Sequence, residues 1–301
     1  MPPSNDAGDA VHTRSRLRGD RLLPARGRQL LPGFEPGREL DDWGRSERLE
    51  RLFQRTVGTF LYDCWFRVEA RGAERVPASG GALIVTHRAG LVPAHAAMIA
   101  RVVSERHGPC RRLYVLTEPT VRGLPGLDPL LTKLGCVSAV RANVERLLCD
   151  EGELVLAFPE PRRMSRKPLA QRYRVAPFDD LAPITIARRA RVPILVAAVV
   201  GAEEAHPVFF TRPRVPRPLR GAVGALRRLG RGAVGRPLAL AGMLPGFAAP
   251  PYLPAKMLIH FEHVRDPGES VSDASFAVAL REALRTSLER MLAERRSVWL
   301  G

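Results

Sequence analysis

What most limits the folds open to this chain is a set of short, uncharged runs separated by segments of helical period. The runs are "ALIVT" (Ala82 to Thr86), "LYVLT" within "RRLYVLTE", "LVLAF" within "LVLAFPE" and "ILVAAVV" within "VPILVAAVVG". A strand with apolar residues at consecutive positions has both faces out of water, so both faces of its sheet need cover. The cover is in the intervening segments "AHAAMIARVVSERHG", "NVERLLCDEGE" and "APITIARRAR", with "PLLTKLGCV" read as a helix running into a turn. It is completed by "SFAVALREALRTSLERMLAERRS", where Phe276, Leu280, Leu284, Leu288 and Leu292 recur at about every fourth position. This alternation predicts an α/β fold with a largely parallel sheet flanked by helices.

Residues 1–42 are rich in Arg, Gly, Pro and Asp and show no apolar period, which predicts a flexible tail. Residues 43–301 are read as a single α/β domain. It opens with "RLERLFQRTVGTFLYDCWFRVE", an amphipathic helix with Leu49, Leu52, Phe53, Val57, Phe60, Leu61, Cys64 and Trp65 on its apolar side. That side faces either core or membrane. A short strand at "VEARGAE" and a Pro/Ser/Gly turn then lead to the strand ending at Thr86.

The chain carries a formal charge of +16, and eight arginines between Arg212 and Arg236 fall in a stretch without a single acid. Such a field attracts anions: nucleic acid, anionic lipid or phosphorylated small molecules. With 6% aromatic residues for stacking and no known binding module, nucleic acid is not the expected partner. Four scattered cysteines suit neither a zinc site nor a disulfide framework, so a reduced, cytoplasmic chain without metal is expected. The N-terminus lacks an apolar leader. The longest uncharged stretch, Pro237 to Ala255, holds five prolines, so a peripheral position at the inner face of a membrane is expected rather than a spanning one.

Reactive groups in open α/β sheets collect beyond the carboxyl ends of the strands. Three segments meet that description: "THRAGLVPAH", "FPEPRR" (Phe158 to Arg163) and "VVGAEEAHP" (Val199 to Pro207), each placing ionisable residues straight after an apolar run. His87 there can serve as a general base if a second group fixes its tautomer, although a histidine at a strand end is also a common structural residue. Glu160 can accept from a substrate hydroxyl while Arg162 and its neighbours grip phosphate, or it can simply pair with those arginines. "RRMSRKPLAQRYR" gathers six basic residues, Lys167 among them, within 13 positions. No Gly-x-Ser-x-Gly elbow occurs, which removes the α/β-hydrolase reading.

The segments "ALIVTHRAGLVPAHAAMI", "LAFPEPRR", "KPLAQRYRVAPF", "VPILVAAVVGAEEAHP" and "YLPAKMLIHFE" together resemble the phospholipid/glycerol acyltransferase (PlsC-like) family. The resemblance runs from about Trp43 to Gly301. It implies that a histidine deprotonates an acceptor hydroxyl for attack on an acyl thioester, that an aspartate orients the histidine, and that a Phe-Pro-Glu-Gly block helps bind the acceptor phosphate. Phe158, Pro159 and Glu160 match that block, with Pro161 in place of its glycine. In the first block the aspartate is replaced by His95. Two registers fit: His87 is the family histidine and Arg88 an insertion, or Arg88 stands at the histidine and His87 at the preceding asparagine. The resemblance assigns catalysis to His87 and His95, and substrate binding to Arg88, Arg141, Phe158, Pro159, Glu160, Arg162 and Lys167. It implies an acyl-CoA or acyl-carrier-protein donor, a lysophospholipid or glycerol-phosphate-like acceptor at an anionic membrane surface, and no cofactor. Because a neutral imidazole at His95 brings no negative charge, weakened transfer is expected, with a catalytically inactive, lipid-binding relative or partner subunit as the alternative.

Overall fold

The computed structural model describes residues 40–90, 94–118, 127–206, 252–268, 270–295 and 297. The expected tail, apart from its last three residues, and the Arg212 to Arg236 and Pro237 to Pro251 stretches lie outside them. Among the described residues, strands β1 (Glu69–Arg71), β2 (Ala82–Thr86), β3 (Leu113–Thr117), β4 (Cys136–Ser138), β5 (Leu154–Ala157), β6 (Ile194–Val200) and β7 (Leu258–His263) form one sheet in the order β1-β7-β6-β2-β5-β3-β4. All neighbours are parallel except β6 and β7, which run antiparallel. The mixed α/β architecture matches the expectation from the apolar runs.

Every residue of β2, β3, β5 and β6 is buried. Side chains alternate between two cores. Ala82 and Ile84 face α2 (Ala94–His107), where Met98, Ile99, Val102 and Val103 are buried. Leu83 and Val85 face the other layer: α4 (Arg141–Glu145, carried on as a π-helical turn through Asp150), α5 (Ala182–Arg189) and the last helix, α7 (Asp273–Glu294). The numbering leaves α3 for Leu127–Lys133 and α6 for the short turn Ala202–Ala205. In α7, Phe276, Leu280, Leu284 and Leu288 are fully enclosed, which is why the four-residue spacing reads so clearly in the sequence. Truncating one of these to alanine costs about 2–5 kcal/mol.

The expected N-terminal amphipathic helix is present as α1 (Glu47–Phe53), whose coil widens into π-helical turns through Trp65. Ser46 caps it by accepting from the Leu49 amide. Leu61, Tyr62 and Trp65 pack on the α2-side core, and Trp65 donates its indole N–H to the Tyr252 carbonyl. Leu52, Val57 and Phe60 remain 58, 49 and 51% exposed, so part of the apolar side does not face core. Two strands were not legible in advance. "GCVS", read as a turn, is the edge strand β4, and β7 returns from far along the chain to lie between β1 and β6.

Candidate functional site

The carboxyl ends of β2, β5 and β6 carry the three segments singled out above. Beyond β2 the chain divides the roles of two adjacent residues. Arg88 turns outward and lines a cleft of about 370 Å³ with Leu116, Glu118, Phe158, Pro159 and Arg162, and Asp179 and Asp180 contribute from the segment before α5. His87 turns inward and is 0% exposed.

Arg88 joins the β2 and β5 loops. Its backbone N–H donates to Glu160 Oε2 at 2.6 Å, its Nε donates to the Glu160 carbonyl at 2.6 Å, and a terminal nitrogen donates to the Phe158 carbonyl at 2.9 Å. The same guanidinium pairs with Glu118 at 2.5 Å and lies 5.8 Å from the centre of the Phe158 ring. Glu118 also pairs with Arg162. Both arginines at the cleft are therefore already partnered by one carboxylate. The guanidinium, permanently charged, can hold an anion but cannot take a proton from an alcohol.

Glu160 is 1% exposed and is not among the residues lining the cleft. Its second oxygen accepts from the Ala176 amide at 2.7 Å, so the carboxylate latches the segment before α5 to the loop after β2. Burial raises its pKa, opposed by the nearby Lys167 charge and the two amides. Phe158 and Pro159 line the cleft. Arg141 is exposed at the start of α4, pairs with Glu145 at 3.0 Å and does not contribute to that lining.

Behind Arg88 lies a buried polar cluster. The His87 and His95 rings stack with their centres 5.8 Å apart and 12° between planes, and the His95 and Phe158 rings stand nearly perpendicular with centres 5.6 Å apart. His95 donates from Nε2 to the His87 carbonyl at 3.2 Å, because a carbonyl only accepts. Neither ring nitrogen of His87 has a hydrogen-bond partner among the described residues. Burial, with the Lys167 charge and His95 adding to it, pushes the His87 imidazole well below the ordinary histidine range, and His95 falls to about 4. Lys167 is buried here rather than in the cleft. It donates to the Arg174 carbonyl at 3.0 Å and pairs with Glu203 at 2.5 Å.

No family model matches the chain. It is 29% identical over 277 residues to uncharacterized proteins of Mycobacterium tuberculosis and Mycobacterium bovis, covering 87% of this chain and 72% of each relative. An uncharacterized Mycobacterium leprae protein is 29% identical over 270 residues, with 87% of this chain and 70% of that protein covered. Among solved structures it is similar to the 1-acyl-sn-glycerophosphate (LPA) acyltransferase, PlsC, from Thermotoga maritima, with a TM-score of 0.51 at 16% identity. That likeness covers 83% of this chain and 81% of the other. The fold is acyltransferase-like. At this identity the likeness is one of fold, and function has to be argued from the site.

The site contains acids that the sequence reading did not single out. Glu118 follows the β3 run directly, the same signal that picked out His87 and Glu160. Glu203 sits in the "GAEE" turn after β6, quoted but given no role. Gly201, at φ 100°, makes that turn possible, since a Cβ there would meet the Lys256 carbonyl oxygen at 2.2 Å. Burial lifts Glu203 to about 7, against the charge and hydrogen bond of Lys167 and the Tyr173 amide. Among the described residues no group of His, Cys, Asp and Glu is placed to hold a metal ion.

Proposed function

We propose that this protein transfers an acyl group from an acyl thioester, carried by coenzyme A or an acyl-carrier protein, to the hydroxyl of a lysophospholipid or glycerol-phosphate-like acceptor at a membrane surface. The observation that carries the reading is an acyltransferase-like sheet with a histidine directly at the end of β2 and an arginine-bearing cleft beside it. His87 takes the hydroxyl proton as the acceptor oxygen attacks the thioester carbonyl. The carbon–sulfur bond then breaks, and the imidazolium returns the proton to the leaving thiolate, giving an ester and a free thiol. Arg88 and Arg162 hold the acceptor phosphate, sharing it with or releasing it from Glu118. Because the ring is enclosed, turnover is limited by how often its nitrogen is reachable, and slow transfer is expected.

Membrane contact in this reading comes through α1 and its π-helical continuation, which carry exposed Leu52, Val57 and Phe60 together with Arg48, Arg51 and Arg55. No helix among the described residues is long and apolar enough to cross a bilayer. The proposed position is peripheral, at the cytoplasmic face.

A second reading has a specific observation in its favour. A base with 0% exposure and no polar partner also fits a relative that binds lipid without transferring an acyl group. Purified protein incubated with labelled acyl-CoA and lysophosphatidate separates the two. Label appearing in phosphatidate, and falling at least 100-fold in a folded His87→Gln variant, supports transfer, in line with the usual contribution of a general base. Saturable lysophosphatidate binding with no labelled product supports the second reading.

A further inference from the structure

His87 lacks the carboxylate that would fix its tautomer, since His95 stands where the resemblance places an aspartate. The acids near it differ in what they have free. Glu160 has both oxygens committed to backbone amides, from Arg88 and from Ala176. Glu203 does not. Its Oε2 accepts from the Tyr173 amide at 2.6 Å, whereas Oε1 is ion-paired with Lys167 Nζ at 2.5 Å and keeps a lone pair for a second donor. That same Oε1 lies 3.8 Å from His87 Nε2. His87 Nε2, buried without a hydrogen-bond partner, thus faces a carboxylate oxygen about 1 Å beyond bonding distance. His95 is the weaker orienting group: its Nε2–H goes to the His87 carbonyl, and although its Nδ1 has no partner, a neutral ring nitrogen supplies no negative charge for the imidazolium.

We infer that Glu203, delivered by the turn after β6, is the positioning residue of the site: it accepts the His87 Nε2 proton and leaves Nδ1 as the lone-pair nitrogen. The assignment rests on the acyl-transfer reading for its catalytic meaning, though not for its geometry. It moves the orienting carboxylate from α2 to a different loop, held by Lys167 and by the Tyr173 backbone. Lys167 has a defined part in this arrangement. It keeps the Glu203 carboxylate facing His87 without reaching the reacting atoms.

The test reads geometry and turnover separately. In protein labelled with ¹⁵N-histidine, the His87 ring of the wild type should be a single Nε2–H tautomer. Glu203→Gln should shift both of its ring ¹⁵N signals toward a tautomer mixture, and Glu203→Asp should recover most of the wild-type pattern. With acyl-CoA and lysophosphatidate, kcat should fall roughly 100-fold in Glu203→Gln while KM stays within about twofold. Should Glu203→Gln fail to fold, the double variant Glu203→Gln/Lys167→Met removes the buried charge pair together and is read the same way. Unchanged His87 ring signals in the folded variant overturn the assignment, whatever the activity. A fixed Nε2–H tautomer that Glu203→Gln releases, in protein without any turnover, upholds the assignment and removes the transfer reading instead.

Discussion

Glu160 shows how a residue placed correctly by sequence can do something other than its position suggests. Being next to a strand end, between prolines, marked it as a site acid, and the structure puts it at that edge. The destination of its oxygens, however, depends on which backbone amides the fold brings near, and Ala176 is 16 residues away. Glu160→Gln turns one acceptor into a donor facing an amide, which should lower stability by about 1–3 kcal/mol, measured as a shift in the urea midpoint without change in slope. Glu203 gives a pH-dependent counterpart. Its pKa rises from an unfolded value of 4.5 to about 7, so the native state holds the proton more tightly. Its contribution is therefore complete below pH 4.5 and lost as pH climbs to 7, by at most about 3 kcal/mol at roughly 1.4 kcal/mol per unit. Buried His87 and His95, whose pKa falls on folding, act in the opposite sense over the same range, so the expected outcome is a difference: as pH rises from 4.5 to 7 the urea midpoint of the wild type should fall relative to that of Glu203→Gln. The inward turn of His87 and the outward turn of Arg88 were not legible, because where side chains point beyond a strand depends on what α2 and the β5 loop offer them.

At the level of elements, the legible ones were those with a strong period. Four fully buried strands announced themselves as uninterrupted apolar runs, and α7 by its leucines. β4, three residues directly after a helix, was read as the turn that ends it, and owes its extended form to pairing with β3. β7, "LIHFEH", alternates buried and half-buried positions and carries two histidines and a glutamate, so it does not resemble the apolar runs. The segment after β6 was readable as ionisable residues beyond a strand end, but not as the carrier of a buried acid. Gly201→Ala should destabilise the protein by several kcal/mol, through positive φ and the clash with the Lys256 carbonyl. Thermal unfolding would show this as a lower midpoint. Gly80→Ala, also at positive φ but with open space around it, should cost only about 1 kcal/mol.

For the whole molecule, the net charge of +16 and the exposed stripe on α1 bear on one behaviour, association with anionic surfaces. Co-sedimentation with vesicles containing phosphatidylglycerol should be strong at low salt and weaken as salt rises, while neutral phosphatidylcholine vesicles recover little protein. Replacing Leu52, Val57 and Phe60 together by serine should reduce recovery at every salt concentration and leave the thermal midpoint nearly unchanged, since these side chains are mostly in water already. The strand order adds a consequence for biosynthesis. β7 is the only described strand that contacts both β1 and β6, and it is made last. While the ribosome is still translating the residues before Leu258, the edge of β6 has no partner on that side and β1 has none at all. A nascent chain is therefore open to wrong pairing at these edges until β7 emerges, and its dependence on chaperones should last at least until then, since α7, which covers one face of the sheet, follows β7.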